Sequence, residues 1–244
     1  MNLRTIGKGV GTVLFASALG ACGALQQDPQ CVVAKGTFAT VFTPKPGQDT
    51  SLACAKLTPQ RVGLDKYFSS DPQANDSVAI RTQRMGNEVA HKDTQLDPDA
   101  PNQPNSVGEL TTDAPDPDNF CEVPKLDTAR LEARYSGVSK APLSLAYEWS
   151  NLRIYNTPEI PGTQFTANLR YTENGCTADY TVKGIWPVVG CATGGKPDET
   201  KCDPYPDPEA GRYRGSGINP TFPVKCDPVA LICVLTGEVP SDKP

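Results

Sequence analysis

The chain has 244 residues, a formal charge of −5 and 38% hydrophobic side chains. The acidic balance argues against nucleic acid or an anionic membrane surface as a partner. Proline is abundant (24) and methionine scarce (2), which disfavours a mainly helical protein and suits an exported, loop-rich β-protein.

The first element is a leader. MNLRTIGKGV carries Arg4 and Lys8 and no acid, and residues 10–21 form an uncharged run of apolar and small side chains. A basic start followed by about 7–15 apolar residues is a secretory signal, and it is shorter than the roughly 20 residues a permanent span needs. The run closes in Leu19-Gly20-Ala21-Cys22. This stretch resembles the lipobox of the bacterial lipoprotein class: Leu at −3, small residues at −2 and −1, then Cys. The resemblance covers residues 1–22 and implies that 1–21 is a lipoprotein signal peptide. It further implies that the Cys22 sulfur takes a diacylglyceryl group and that the new amino terminus is acylated, palmitate being the expected chain. Each buried CH₂ contributes about 0.8 kcal/mol, so three such chains would hold the protein firmly. Gly23 and Ala24 follow, where Asp in the best-known sorting pattern would favour inner-membrane retention; their presence leans towards the outer membrane. Cleavage before Cys22 removes only Arg4 and Lys8 among charged groups and takes the formal charge to −7.

Residues 22–30 then serve as a lipid-anchored tether, and 31–244 as a single β-rich domain. CVVAKGTFATVF (31–42) is rich in β-branched and aromatic residues and predicts a strand, with a weaker one at 75–83. An acidic, proline-rich insertion follows at about 92–119. From Lys92 to Glu122 the acids are Asp93, Asp97, Asp99, Glu109, Asp113, Asp116, Asp118 and Glu122, against Lys92 alone. With five prolines and almost no large apolar residue, such a stretch cannot bury enough surface to offset its ordering entropy. It predicts a long, mobile, extended insertion.

DTARLEARYSG (127–137) fits either a strand or a short helix capped by Asp127, and the strand neighbours favour a strand. Leu143, Leu145, Tyr147 and Trp149 alternate on odd positions, whereas Leu152 and Ile154 fall on even ones; the phase flip predicts a β-bulge near Asn151. Residues 163–188 carry Asn174-Gly175 between two alternating runs, the strongest short hairpin signal. Pairing Glu173 with Cys176 sets Tyr171 opposite Ala178, Leu169 opposite Tyr180, Ala167 opposite Val182 and Phe165 opposite Gly184. Every apolar side chain then shares one face, and Arg170 meets Asp179 on the other. A slip of one residue would scatter that set. Residues 190–221 read as loop, KCDP recurs at 201–204 and 225–228 as a cysteine-turn signature, and VALICVLTG (229–237) reads as a buried strand.

Removing Cys22 from nine cysteines leaves Cys31, Cys54, Cys121, Cys176, Cys191, Cys202, Cys226 and Cys233, an even set in an exported chain. Four disulfides are expected. A zinc site would want close C-x₂-C pairs or several histidines, and His91 stands alone. The last four lie close in sequence and should bridge among themselves; for the other four, which still allow three pairings, Cys31 with Cys54 and Cys121 with Cys176 is the pairing expected. The fold class expected is therefore mainly β: an antiparallel, disulfide-braced β-sandwich or open barrel with long Pro-rich loops.

No catalytic constellation emerges. There is no G-x-S-x-G elbow, no S-x-x-K and no partner set for His91, which reads as a surface residue. Glu148 beside Trp149 reads as an exposed strand residue next to a core one. Trp149 and Trp186 form the possible ligand platform for carbohydrate, although their predicted inward faces point to core packing. Calcium loops need ligands at regular odd spacing with Gly and a closing Glu, which 93–118 lack. No metal, cofactor or catalytic residue is expected. The function expected is a lipid-anchored, non-enzymatic envelope protein, a binding or assembly subunit of an outer-membrane-associated complex. Its partners would be the membrane, through the acyl chains, and other envelope proteins. The alternatives are a carbohydrate-binding or glycan-hydrolysing β-sandwich and a Ca²⁺-dependent surface adhesin.

Overall fold

The computed structural model describes residues 29–71, 73–136 and 140–241. The leader, Cys22 and most of the tether lie outside the described residues. In chain order the elements are β1 (Gly36–Pro44), β2 (Gln60–Tyr67), β3 (Ser77–Thr82), α1 (Gln83–Ala90), β4 (Thr94–Leu96), β5 (Ser106–Glu109), β6 (Phe120–Lys125) and β7 (Ala129–Tyr135). They continue with β8 (Leu143–Asn156), β9 (Pro161–Glu173), β10 (Cys176–Ile185), β11 (Ala192–Thr193), β12 (Lys196–Pro197), β13 (Val224–Cys226) and β14 (Cys233–Leu235). One antiparallel sheet runs β4-β7-β8-β9-β10-β1-β2-β3-β5, with β6 pairing the far half of β8; β11–β12 and β13–β14 are separate ribbons.

The β9–β10 hairpin fixes the middle of this sheet. Asn174 and Gly175 hold φ of 49° and 81°, the left-handed values a tight two-residue hairpin turn requires. Cys176 pairs with Glu173 and the register runs unbroken to Ile185 opposite Gln164, as the alternation predicts. Phe165, Ala167, Leu169, Tyr171, Ala178, Tyr180 and Val182 are all at most 3% exposed. Arg170 Nε and Asp179 Oδ1 lie 3.3 Å apart on the outer face. The bulge expected in β8 is present: its register with β9 shifts between Ser150 and Arg153, and Asn151 takes φ 49°. Residues 129–135 are a strand, and residues 77–82 are the strand expected there.

Two cores result. The larger fills the inside of the curled sheet and holds Phe38, Leu64, Ile80, Leu131, Trp149, Leu152 and Tyr180. The smaller lies on the outside of the sheet at one end, where Ala39, Phe120, Tyr155 and Ile185 meet Ile218, Phe222, Ile232 and Leu235 of the C-terminal lobe. β1 is buried on both sides: Phe38, Ala39 and Thr40 are fully buried in succession. Gln164 clamps the end of the lobe through paired bonds with Ser241, its Nε2 donating to the carbonyl (2.9 Å) and its Oε1 accepting from the amide (2.8 Å).

Several expectations need correction. The first strand starts at Gly36 and not at residue 31. Residues 31–35 are tied by single bonds to unrelated segments: Cys31 N–H to the Asp113 carbonyl (2.7 Å), Val32 N–H to Asn156 Oδ1 (3.1 Å) and Ala34 N–H to the Gly162 carbonyl (3.0 Å). The run 229–237 yields only the short β14, because Asp227 Oδ1 accepts the amides of Val229 and Ala230 and winds the chain into a turn. The helix α1 leaves no clear trace in the sequence pattern; Thr82 caps it by accepting the Met85 amide (3.2 Å), and buried Met85 docks it.

The acidic insertion is ordered, and it supplies both edges of the sheet: β4 pairs β7, and β5 pairs β3. It borrows a core instead of building one. Leu110 is buried, and Gly108 lies so close to β6 that an added Cβ would stand 2.5 Å from the Lys125 carbonyl oxygen. Its carboxylates serve as turn caps. Asp116 Oδ1 accepts the amides of Asp118 and Phe120, and Arg153 reaches both Asp116 and Glu122 while stacking 4.0 Å over the Phe120 ring.

Among the described residues four disulfides form, and the last four cysteines do bridge among themselves, as Cys191–Cys226 and Cys202–Cys233. The other two pairs differ from those expected: Cys31 joins Cys121 and Cys54 joins Cys176. Proximity along the chain misled here. Cys31 runs beside the end of the acidic insertion and so meets β6, whereas Cys54 sits on a 3₁₀ turn pinned onto β10 by the Tyr180 hydroxyl, which bonds the Cys54 carbonyl and the Leu57 amide.

Candidate functional site

The structure does not bring the proposed carbohydrate platform together as a surface. Trp149 is 2% exposed and packs at a tilt against Phe42, ring centroids 6.4 Å apart. Trp186 is partly buried against the same core. Stacking on a sugar needs an exposed ring face, which Trp149 lacks. Glu148 is exposed on the outer face, opposite Arg170 in the strand register. His91 is exposed, with its ring edge-on to Tyr135. Among the described residues, the acids of 93–118 do not converge as a cation cage.

Titratable groups concentrate instead where α1 crosses β9. Arg84 forks onto the Glu173 carboxylate, and its Nη1 also donates to the Tyr171 hydroxyl at 2.8 Å. Tyr171 donates in turn to Glu173 at 2.6 Å, and its ring lies against Tyr147 with centroids 5.0 Å apart. Burial pushes the Tyr171 phenol far up. Burial also works against the Glu173 charge, but the bonds from Arg84 and Tyr171 outweigh it and hold the carboxyl below its ordinary range. Beside this cluster, Glu88 accepts from Tyr135 (2.6 Å) and Lys140 (3.1 Å). Burial opposes its charge as well, and the two bonds again prevail. A shallow cavity of about 450 Å³ opens here, lined by Lys56, Gln60, Arg84, Asn87, Glu88 and Glu173. Perturbed groups in a cleft mark candidate sites. In this cleft each of the shifted charges, Arg84, Glu88 and Glu173, is answered by a neighbour of the chain itself.

The C-terminal lobe presents a different surface. Tyr205 and Tyr213 are 61% and 79% exposed, on a loop that turns back through an Asp207–Arg212 bridge. Arg212 clamps that loop with Nη2 at 3.3 Å from Asp203 and 3.2 Å from Asp207. The amide of Tyr205 holds the Asp203 carboxyl below its ordinary range, and that of Ala210 does the same for Asp207, with Arg212 adding to both. Cys202 roots the loop through its bond to Cys233. The sulfurs of Cys191, Cys202 and Cys233 come within 4.8 Å of one another because the two disulfides stack; as disulfides they offer no thiolate to a metal. Rigid, exposed tyrosines suit protein recognition, since a large amphipathic ring is presented with little entropy left to lose. Neither tyrosine stands out in the sequence. The available signal was an aromatic pair in PYPDPEAGRYRG, a turn-rich stretch with no alternating face to bury them.

A third feature lies where the described chain begins. A groove of about 750 Å³ runs between residues 30–35 and the end of β2, with Phe68 82% and Tyr67 54% exposed at its rim. Lys66 forms its floor, donating to the Cys31 carbonyl at 2.7 Å and pairing with Asp76 at 2.7 Å.

Comparison with known proteins gives a consistent picture. The MlpA family profile matches residues 36–187, from β1 to just past β10. A Myxococcus xanthus protein named provisionally as lipoprotein MlpA is 28% identical over 237 residues, covering 93% of each chain. No solved structure matches. Among the described residues no helix is long and apolar enough to cross a membrane.

Proposed function

The chain belongs to the MlpA family of lipoproteins, and from that membership we propose that it is a non-enzymatic binding or assembly subunit, held at the outer membrane through acylated Cys22. The lipobox residues Leu19-Gly20-Ala21-Cys22, followed by Gly23 and Ala24, support the anchor and its destination. The observation that carries the binding role is the pair of exposed tyrosines, Tyr205 and Tyr213, on a loop stiffened by a disulfide and the Arg212 clamp. Exposed rings on a preorganised loop are how a protein surface contacts another with little ordering cost. Against an enzymatic reading stands the α1 cleft, whose shifted charges are spent on one another, leaving no base beside a free nucleophile.

Cross-linking of the native acylated protein after mild detergent extraction tests this. The wild type should capture a defined set of envelope proteins, and a Tyr205→Ala/Tyr213→Ala variant of unchanged melting temperature should lose about tenfold or more of that capture. Equal capture by wild type and variant would remove the tyrosine loop from the interface, and no capture by either would end the binding role.

A further inference from the structure

The groove beside residues 30–35 lies where the tether joins the folded body, and its position says what covers it. Cys22 stands seven residues before Pro29, so the acyl chains enter the bilayer within at most about 25 Å of the first described residue. The groove begins at the next residue, Gln30, and is walled by Val32 and Val33. Its rim carries the most exposed aromatic side chain of the described residues, Phe68, with Tyr67 beside it and Val32 41% exposed.

We infer that this rim is a membrane-docking surface: Phe68, Tyr67 and Val32 enter the interfacial layer of the bilayer that holds the acyl chains. The inference rests on the acylation of Cys22 and goes beyond it, because a tether alone leaves orientation free whereas a second contact fixes which face meets the lipid. The chemistry fits that layer. Aromatic rings with a wet edge concentrate at the level of the headgroups, and the Lys66 ammonium, 4.9 Å over the Phe68 ring, places a cation beside it. Of the three acids that line the groove, Asp65, Asp76 and Asp113, the one at its floor is neutralised. Asp76 is paired with Lys66, whose bond holds its carboxyl below the ordinary range. The strongly acidic chain as a whole is repelled by anionic lipid, so the contact must be apolar and interfacial, on zwitterionic headgroups. A protruding ring satisfies that condition without added charge.

The test uses the acylated full chain in phosphatidylcholine–phosphatidylethanolamine vesicles, with Phe68→Trp as a probe whose exposure makes the substitution harmless to folding. Vesicle flotation reads the anchor, and quenching by lipids brominated along the acyl chain reads the docking. The expected result is flotation with blue-shifted emission from the introduced indole, quenched by about twofold or more over the Trp149 and Trp186 background of the wild type. Flotation with an unquenched, water-exposed indole at position 68 overturns the docking and leaves the anchor standing. A blue-shifted but unquenched indole also overturns it, since the groove is then filled by protein and not by lipid. Failure to float removes the anchor and the docking with it.

Discussion

The sheet body and the C-terminal lobe solve the same stability problem by different means. The body, from β1 to β10, encloses a continuous core of aromatic and branched side chains, and its two disulfides span 90 and 122 residues. Among the described residues the lobe has two short ribbons, one 3₁₀ turn and a small core partly borrowed from the outside of the sheet, and its disulfides span 35 and 31 residues. In the body, cross-links reinforce a fold that burial already specifies. In the lobe they substitute for secondary structure, which is why a turn-rich stretch can present Tyr205 and Tyr213 rigidly.

The sharpest way to break this contrast is to remove the cross-links. By loop-entropy reasoning each lobe disulfide contributes about 4 kcal/mol, which exceeds what so small a core can replace. Serine at Cys191, Cys202, Cys226 and Cys233 should open the lobe to protease between residues 190 and 235 while the body keeps its far-ultraviolet dichroism. Serine at Cys31 and Cys121 removes one bond of about 5 kcal/mol, yet the body should still unfold in one cooperative transition. Loss of both regions in the lobe variant would show that the lobe is a structural part of the sheet and not an attachment.

A smaller effect probes the border between the two regimes, the acidic insertion. Gly108→Ala forces a methyl group against the Lys125 carbonyl and the Val123 side chain. It should destabilise by about 1–3 kcal/mol and increase amide exchange in β5 before the centre of the sheet. Exchange that rises uniformly would mean the insertion is as deeply built in as β9.

The smallest effect lies at the α1 cleft. The folded-state carboxyl of Glu173 sits below its ordinary 4.5, so the stability it supplies is fully present above that pH and is lost as pH falls through the lowered value. Glu173→Gln should cost about 0.5–1 kcal/mol at neutral pH, the range of a partly exposed ion pair. It should also flatten the fall in melting temperature below about pH 4.5. An unchanged acid slope would place the pH response in other carboxylates.

Legibility followed the range of the interactions. The β9–β10 register, the bulge at Asn151 and the KCDP turns are local: each is set by residues that are neighbours in sequence or directly across a two-residue turn. The lobe's internal cross-linking was legible for the same reason. What failed depends on tertiary context. Cys31 reaches Cys121 only because the entering chain lies beside the end of the acidic insertion, and that insertion is ordered only because β3 and β7 offer it unpaired edges. Composition correctly says that residues 92–119 cannot make a core; it does not say that they can lean on one. Phe68, Tyr205 and Tyr213 escaped because an exposed ring in a loop leaves no periodic trace.

The Cys31–Cys121 bond has a mechanical consequence. If the amino terminus is held at a membrane as proposed, a tug on the body would arrive first at Cys31, and the disulfide would pass it to β6, which lies along the long strand β8. Part of such a load would thereby pass into the β6–β8 ladder before it reached β1, whose first residue is Gly36.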